Sequence, residues 1–291
     1  MQVTRPDAQG FLLSAGNFLG SREAEHNLLL GLAGRLLANA HQHDDDPYLA
    51  VVEDGDRVVA AALRTPPHNL VLSETEDTAA YVALAQDAHA VFDSLPGVIG
   101  SAAGVAVFVS AWSSLTGDRA RLLLSERIYE VNELIEPRPV SGQMRTVTEQ
   151  DHDLVLEWIE AFAQEAIPGA KPGDGAGFLE RRAADPDGGI VLWDDRAAVS
   201  LAGYGSPTPN GIRIGDVYTP PELRRRGYAS ALVAALTRML LSSGRASCFL
   251  FTDLANPTSN SIYQQIGYRP VADVEQWIFE RTETTSGTTT P

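Results

Sequence analysis

Three consecutive arginines followed by a glycine, Arg224-Arg225-Arg226-Gly227-Tyr228-Ala229, form the part of this chain best suited to chemistry. Guanidinium groups bind phosphate oxygens through forked, charge-assisted hydrogen bonds. A glycine lets the backbone approach an anion closely. A basic triplet is also out of keeping with its surroundings, because the whole chain has a net charge of -16 with only 22 basic residues. The segment therefore reads as a diphosphate cradle rather than as a solvated helix entrance.

The flanking residues supply the elements such a cradle needs. Residues 212–219, Ile-Arg-Ile-Gly-Asp-Val-Tyr-Thr, are rich in β-branched and aromatic types, and Pro220-Pro221 stops the run. Beyond the arginines, Ala229, Leu232, Val233, Leu236, Met239 and Leu240 recur at helical spacing up to Ser243-Gly244. The loop thus delivers the unpaired N–H groups of a helix's first turn to one point, where the helix dipole adds roughly 0.3 to 1 kcal/mol for an anion. Residues 246–252 read as a short buried strand, and Asp253 with Asn256-Pro257 as the turn into another helix. Upstream, 189–193 and 198–204 read as strands around Asp194-Asp195-Arg196, and 151–163 as a helix.

The stretch from Val217 to Ala229 resembles the acetyl-CoA signature of the GNAT N-acetyltransferase superfamily, with Arg224, Gly227 and Ala229 in register. A second segment, Asn256-Pro257-Thr258-Ser259-Asn260-Ser261-Ile262-Tyr263-Gln264-Gln265-Ile266-Gly267-Tyr268, is similar to that family's later helix and closing Gly-aromatic pair. Two matches in order carry more weight than one glycine pattern. The resemblance covers about residues 143–281.

The resemblance implies an α/β fold of mixed, mostly antiparallel sheet flanked by helices, and direct transfer of an acetyl group from acetyl-CoA to an amine acceptor. It implies cofactor contacts from Val217, Tyr218, Thr219, Arg224, Arg225, Arg226, Gly227, Tyr228, Ala229, Ser230, Asn256 and Ser259. Val217 and Thr219 would bind the pantetheine arm as a neighbouring strand would, and the amide of Val217 or Tyr218 would donate to the thioester carbonyl. Tyr263 stands where many members keep a tyrosine to protonate the departing thiolate; a core aromatic is the competing reading. Asn256 either caps its helix or touches the cofactor, and capping suits an Asn before Pro. Some relatives have a glutamate where this chain has Arg213, so that role does not carry over. Asp216, the nearest carboxylate on the strand, is the candidate general base, with a water chain as the alternative. His152 and His68 read as peripheral or structural.

The first half repeats the order of strands and helices. Residues 48–52 and 57–63 form a hairpin around Glu53-Asp54-Gly55-Asp56, followed by a strand at 68–73, a helix at 81–95, a strand at 97–100, a helix through 105–112 and a strand at 121–124. Its counterpart of the cradle, Ser73-Glu74-Thr75-Glu76-Asp77, has three carboxylates and neither glycine nor arginine. The expectation is a tandem chain: a degenerate GNAT-like domain at 1–137, a linker at 138–142, an acetyl-CoA-binding domain at 143–281 and a disordered tail at 282–291. One cofactor site per chain follows, with the first domain as scaffold, acceptor-site wall or homodimer surface.

Composition narrows the function classes. Hydrophobic residues at 44% are enough for a substantial core, yet no apolar run approaches the ~20 residues of a membrane helix. No secretory signal is visible at the start, so a cytoplasmic protein is expected. The single cysteine, Cys248, rules out an intrachain disulfide and reads as a core residue. Asp44-Asp45-Asp46 reads as a solvated turn, and no metal site is expected. The acidic balance argues against nucleic acid and is compatible with electrostatic attraction of an amine. One lysine against many arginines, with abundant alanine, suggests a GC-rich bacterial genome. A non-catalytic acyl-CoA sensor is the alternative to an acetyltransferase. Mycothiol synthases also have two such domains, but the cradle and later-helix residues differ here.

Overall fold

A computed structural model describes residues 1–38, 46–183, 185 and 187–281. Asp44 and Asp45 of the acidic run and the tail 282–291 lie outside them. In chain order the elements are β1 (Gln2–Thr4), α1 (Ala8–Gly20), α2 (Asn27–Ala38), β2 (Tyr48–Asp54), β3 (Arg57–Arg64), β4 (Leu70–Leu72), α3 (Thr78–Val91), β5 (Gly97–Ser101), α4 (Ala102–Thr116) and β6 (Arg119–Val131). There follow β7 (Gln143–Thr146), α5 (His152–Ala166), α6 (Asp174–Ala183), β8 (Gly189–Asp194), β9 (Ala198–Gly205), β10 (Gly211–Tyr218), α7 (Tyr228–Ser242), β11 (Ser247–Asp253), α8 (Pro257–Gln265) and β12 (Arg269–Glu280).

The chain divides into two compact units. One comprises Met1–Leu19, His41–Leu124 and Val274–Pro291, the other Gly20–Ala40 and Ser125–Asp273. This grouping cuts across the segments 1–137 and 143–281, because helix α2 belongs to the second unit and both β6 and β12 are divided.

In the first unit the strands run in the order β1-β2-β3-β4-β5, with residues 274–278 of β12 against β5. All neighbours are antiparallel except β4 and β5. Gly55, at φ +63, makes the hairpin turn expected between β2 and β3. Trp112 and Phe108 of α4 stack with ring centroids 6.2 Å apart, buried in one core with Tyr81 of α3 and Ala62 of β3. Burying each such side chain contributes about 1.5 to 3 kcal/mol.

The second unit has the same plan. Residues 126–131 of β6 pair with β11, then β10, β9, β8 and β7 follow. Again one pair is parallel, β10 with β11. One face of this sheet, including Ile212, Ile214, Cys248 and Leu250, packs on Leu232, Val233 and Leu236 of α7. The other face packs Leu192, Leu201 and Tyr218 on Val155, Trp158 and Ile159 of α5. Strand alternation thus assigns α7 to one side and α5 to the other.

Candidate functional site

The site begins where two strands part. β10 and β11 pair only at Gly211↔Ser247, Ile212↔Cys248 and Arg213↔Phe249, whereas β11 stays paired to β6 through Asp253. Residues 214–218 of β10 have no partner on that edge. On its other edge β10 is interrupted by a bulge between Gly215 and Tyr218, with Asp216 in the left-handed region at φ +54. A bulge sharpens the local twist and re-aims the backbone. Val217 consequently packs toward the α7 core while Tyr218 turns its ring to Trp158, centroids 6.1 Å apart. Ser200 Oγ donates to the Tyr218 carbonyl at 3.0 Å and lies 2.8 Å from Thr219 Oγ1, which fixes the strand end.

The loop from Arg224 to Gly227 follows and is exposed throughout. Arg225 at φ +63 and Gly227 at φ +86 turn the chain into α7. Gly227 is its N-cap and supplies no side-chain acceptor, and the first intrahelical bond is Ala231 N–H to Gly227 O at 3.0 Å. The amides of Tyr228, Ala229 and Ser230 therefore have no preceding carbonyl to pair with. A Cβ on Gly227 would stand 2.9 Å from Val140 Cγ1, so glycine is required for space as well as for φ.

The arginines differ in their engagements. Arg224 donates to Thr219 O at 2.9 Å and to both Glu165 oxygens at 2.8 and 2.7 Å. Arg226 donates to Glu222 O at 3.0 Å. Among the described residues Arg225 has no hydrogen-bond or ion-pair partner. Behind the loop, Tyr228 donates its hydroxyl to Asp195 Oδ2 at 2.8 Å, and Ser141 does the same at 2.6 Å. These two hydroxyls hold the Asp195 carboxyl below its usual range. The expected linker residues Val140 and Ser141 thus brace the rear of the cradle.

On α8, Asn256 is the N-cap, its Oδ1 accepting from Ser259 N–H at 3.1 Å. Tyr263 is buried in the α7 core with its ring edge toward Tyr268, centroids 5.9 Å apart. Burial pushes its phenol well above the usual value, and its hydroxyl has no hydrogen-bond partner among the described residues. Sequence reasoning missed Asn260, which accepts from Tyr129 at 3.0 Å and Thr252 at 2.7 Å and donates to Asp253 O and Asn256 O. It ties α8 to β11 and β6. An Asn one turn before Tyr263 was the only available signal.

Asp216 is 7% exposed and ion-paired with Arg182 of α6, whose Nε donates to Oδ2 at 3.1 Å and whose Nη2 lies closer still. His152 is exposed, 3.4 Å from Asp153, and His68 lies exposed in the first unit. Burial pushes the Cys248 thiol up to about 12, leaving no thiolate at neutral pH. No group of metal-ligating side chains occurs among the described residues, and no described helix is long and apolar enough to cross a membrane.

Residues 198–278, from β9 into β12, match the family model described as FR47-like protein. A search of curated protein sequences finds no match. Among solved structures, the chain is similar to a Drosophila protein at 14% identity and TM-score 0.67, with 95% of this chain and 97% of that one covered. It is similar to a GCN5-related N-acetyltransferase from Sphaerobacter thermophilus at 16% identity and TM-score 0.59, covering 97% and 96%. A tandem GNAT protein from the clavulanic acid biosynthesis pathway matches at 10% identity and TM-score 0.55, covering 96% and 98%. At such identities the likeness is one of fold. With its parted β10 and β11, uncapped α7 entrance and doubled order of strands and helices, the chain has the tandem GNAT fold, and a segment of its second half is similar to the FR47-like model.

Proposed function

We propose that this chain is an acetyl-CoA-dependent N-acetyltransferase that passes the acetyl group directly to an amine. The observation that carries this reading is the juxtaposition of an unpaired strand edge at 214–218 with an uncapped helix entrance ten residues later. The residues present fit the coenzyme: among the described residues the first-turn amides and Arg225 have no protein partners, and Gly227 leaves room for close approach. Acetyl-CoA supplies an acyl group activated as a thioester. Arg225, Arg226 and the amides of Tyr228, Ala229 and Ser230 grip the diphosphate. The free edge of β10 at Val217 holds the pantetheine arm as a strand, with the amide of Thr219 just beyond it, the Thr219 carbonyl being engaged by Arg224.

The amide of Val217 or Tyr218 donates to the thioester oxygen as the amine attacks, stabilising the developing negative charge. Tyr263 donates its phenolic proton to the departing sulfur. Because Arg182 holds Asp216, we assign removal of the ammonium proton to water rather than to this carboxylate. Arg224, already engaged with Glu165, orders the loop and has a smaller share in binding.

The reading is tested by calorimetric titration with CoA and by thiol release from acetyl-CoA across an amine panel, with Arg226→Glu as control. Uptake of CoA with amine-dependent thiol release supports it; absence of CoA uptake sinks it. A sensor that binds acyl-CoA without turnover is the second reading, favoured by the lack of an uncommitted carboxylate at the bulge. CoA uptake with silence toward every amine would select it.

A further inference from the structure

One face of β9 and β10 is floored by glycine. Arg213 pairs with Gly205 and Gly215 with Gly203, and directly opposed residues project to the same side. This side is opposite to Ile212 and Ile214, which enter the α7 core. A Cβ on Gly203 would meet Asp216 Oδ2 at 2.6 Å and Arg182 Nε at 3.2 Å, and one on Gly205 would meet Asp185 Oδ2 at 2.5 Å and Arg182 Nη1 at 2.9 Å. The missing side chains make a recess that holds charged groups, at the level where β10 and β11 part.

Arg213 stands in this recess with little to bind. Its guanidinium lies over the Phe251 ring, 5.9 Å from the centroid, and Nη2 donates to Ser206 Oγ at 3.3 Å. Among the described residues no carboxylate lies within ion-pair distance of it. The nearby acids are used elsewhere: Asp216 by Arg182, and Asp185 by the amides of Ser206 at 2.6 Å and Asp187 at 3.1 Å. Ser206 itself is buried between Asp185 and α2, where a Cβ on Gly31 would meet it at 2.9 Å. Burial, then the like charges of Arg182 and Arg35, pull the Arg213 pKa down to about 10, against the attraction of Asp216 and Glu126. A guanidinium has five donors and retains its charge at neutral pH, so one long hydrogen bond leaves most of its capacity unused in a partly desolvated place.

We propose, resting on the acetyltransferase reading above, that Arg213 binds a carboxylate of the acceptor, so that the amine acetylated here belongs to a carboxylate-bearing molecule. A carboxylate suits the recess better than a phosphate dianion, which would meet Asp185, Asp216 and Glu126 with a second negative charge. Arg213 lies four positions before Val217 on β10, with the bulge and its left-handed Asp216 between them. The acceptor therefore holds its carboxylate away from the reacting nitrogen, as in an ω-amino acid or a dipeptide. An excess of acid over the whole chain does not oppose this, because the acceptor also carries an ammonium group.

The experiment compares amines that differ only in the carboxylate: lysine with 1,5-diaminopentane, and 4-aminobutyrate with propylamine, in the wild-type chain. A preference of roughly 10- to 100-fold in kcat/KM for the carboxylated member is expected, abolished in Arg213→Met through KM and partly restored in Arg213→Lys, with CoA affinity unchanged. Equal rates for both members, or a preference for aminoalkyl phosphates, would overturn the inference and leave the acetyltransferase reading intact. If no amine reacts, that reading falls, and calorimetric titration of the CoA-loaded chain with 4-aminobutyrate decides this one. Binding that Arg213→Met removes supports it, and no binding to wild type refutes it. The wild-type comparisons need no variant to fold.

Discussion

The two halves present the same strand, loop and helix, yet finish the helix entrance in opposite ways. At α3 the N-cap is Asp77, whose carboxylate accepts from Ala79 N–H at 3.2 Å. The preceding loop is tied down by Tyr81, whose hydroxyl donates to Ser73 O and accepts from Thr75 N–H. Gly104 of α4 permits this, since a Cβ there would stand 2.4 Å from the Tyr81 ring. At α7 the N-cap is a left-handed glycine with no side chain to offer. One entrance pairs an amide with a protein carboxylate, and the other has no side-chain cap, which is where the proposed function puts the diphosphate. On the proposed function, the α7 entrance is distinguished less by being a helix N-terminus, which both halves have, than by lacking an internal carboxylate cap.

The sharpest way to break this contrast is to give α7 the cap of α3. Gly227→Asp places a carboxylate among the first-turn amides and forces a Cβ against Val140 at an unfavourable φ. Loss of two or more charged hydrogen bonds predicts at least a 100-fold weaker CoA affinity by calorimetry, with far-ultraviolet circular dichroism checking that α7 persists. Tyr263→Phe separates chemistry from binding: kcat for thiol release should fall roughly 100-fold or more while CoA affinity holds. A catalyst that tolerates the change would not be using this phenol.

The turn before α5 supplies a third case, in which the N-cap carboxylate makes no bond to the helix's own amides and is spent on residues that precede it. Asp151 accepts from Arg145 at 2.7 and 2.8 Å and from both Thr148 donors at 2.8 Å, and the Arg145 contact first among these holds its carboxyl well below the usual range. Its folded pKa lies beneath the unfolded value near 3.9, so its stabilisation is present above about pH 4 and is lost as pH falls toward the folded pKa. Asp151→Asn should cost about 1.5 to 3 kcal/mol at neutral pH and flatten the acid limb of the thermal midpoint. An unchanged limb would assign acid unfolding elsewhere. Asp77→Ala should cost least, about 1 kcal/mol, without conferring CoA binding at α3; binding there would show that removing the internal anion is sufficient by itself.

The loop into α7, the period of α7 and the hairpin at β2–β3 were legible because each depends on neighbours in sequence. Gly227 had to be glycine for φ, and Leu232, Val233 and Leu236 had to share one helix face. Tyr263 was singled out through its spacing from Asn256, and it lies buried in the α7 core, as the competing reading of a core aromatic expects. What the sequence concealed depends on distant partners. Arg182 reaches Asp216 across 34 positions, and a strand pattern gives no notice of the bulge that puts Asp216 at positive φ. Arg213 reads as an alternating polar strand position until Gly203, Gly205 and Gly215 are found around it.

The division of β6 and β12 has a consequence for handling the molecule. A fragment ending at the linker retains β6 but lacks the strand that lines β5, and a fragment starting at 143 retains β12 but leaves β11 bare along Cys248 to Asp253. Each piece would have a sheet with an open hydrogen-bonding margin, the kind that recruits other chains and precipitates. Co-expression of the two pieces should restore solubility, because each carries the strand that the other is missing.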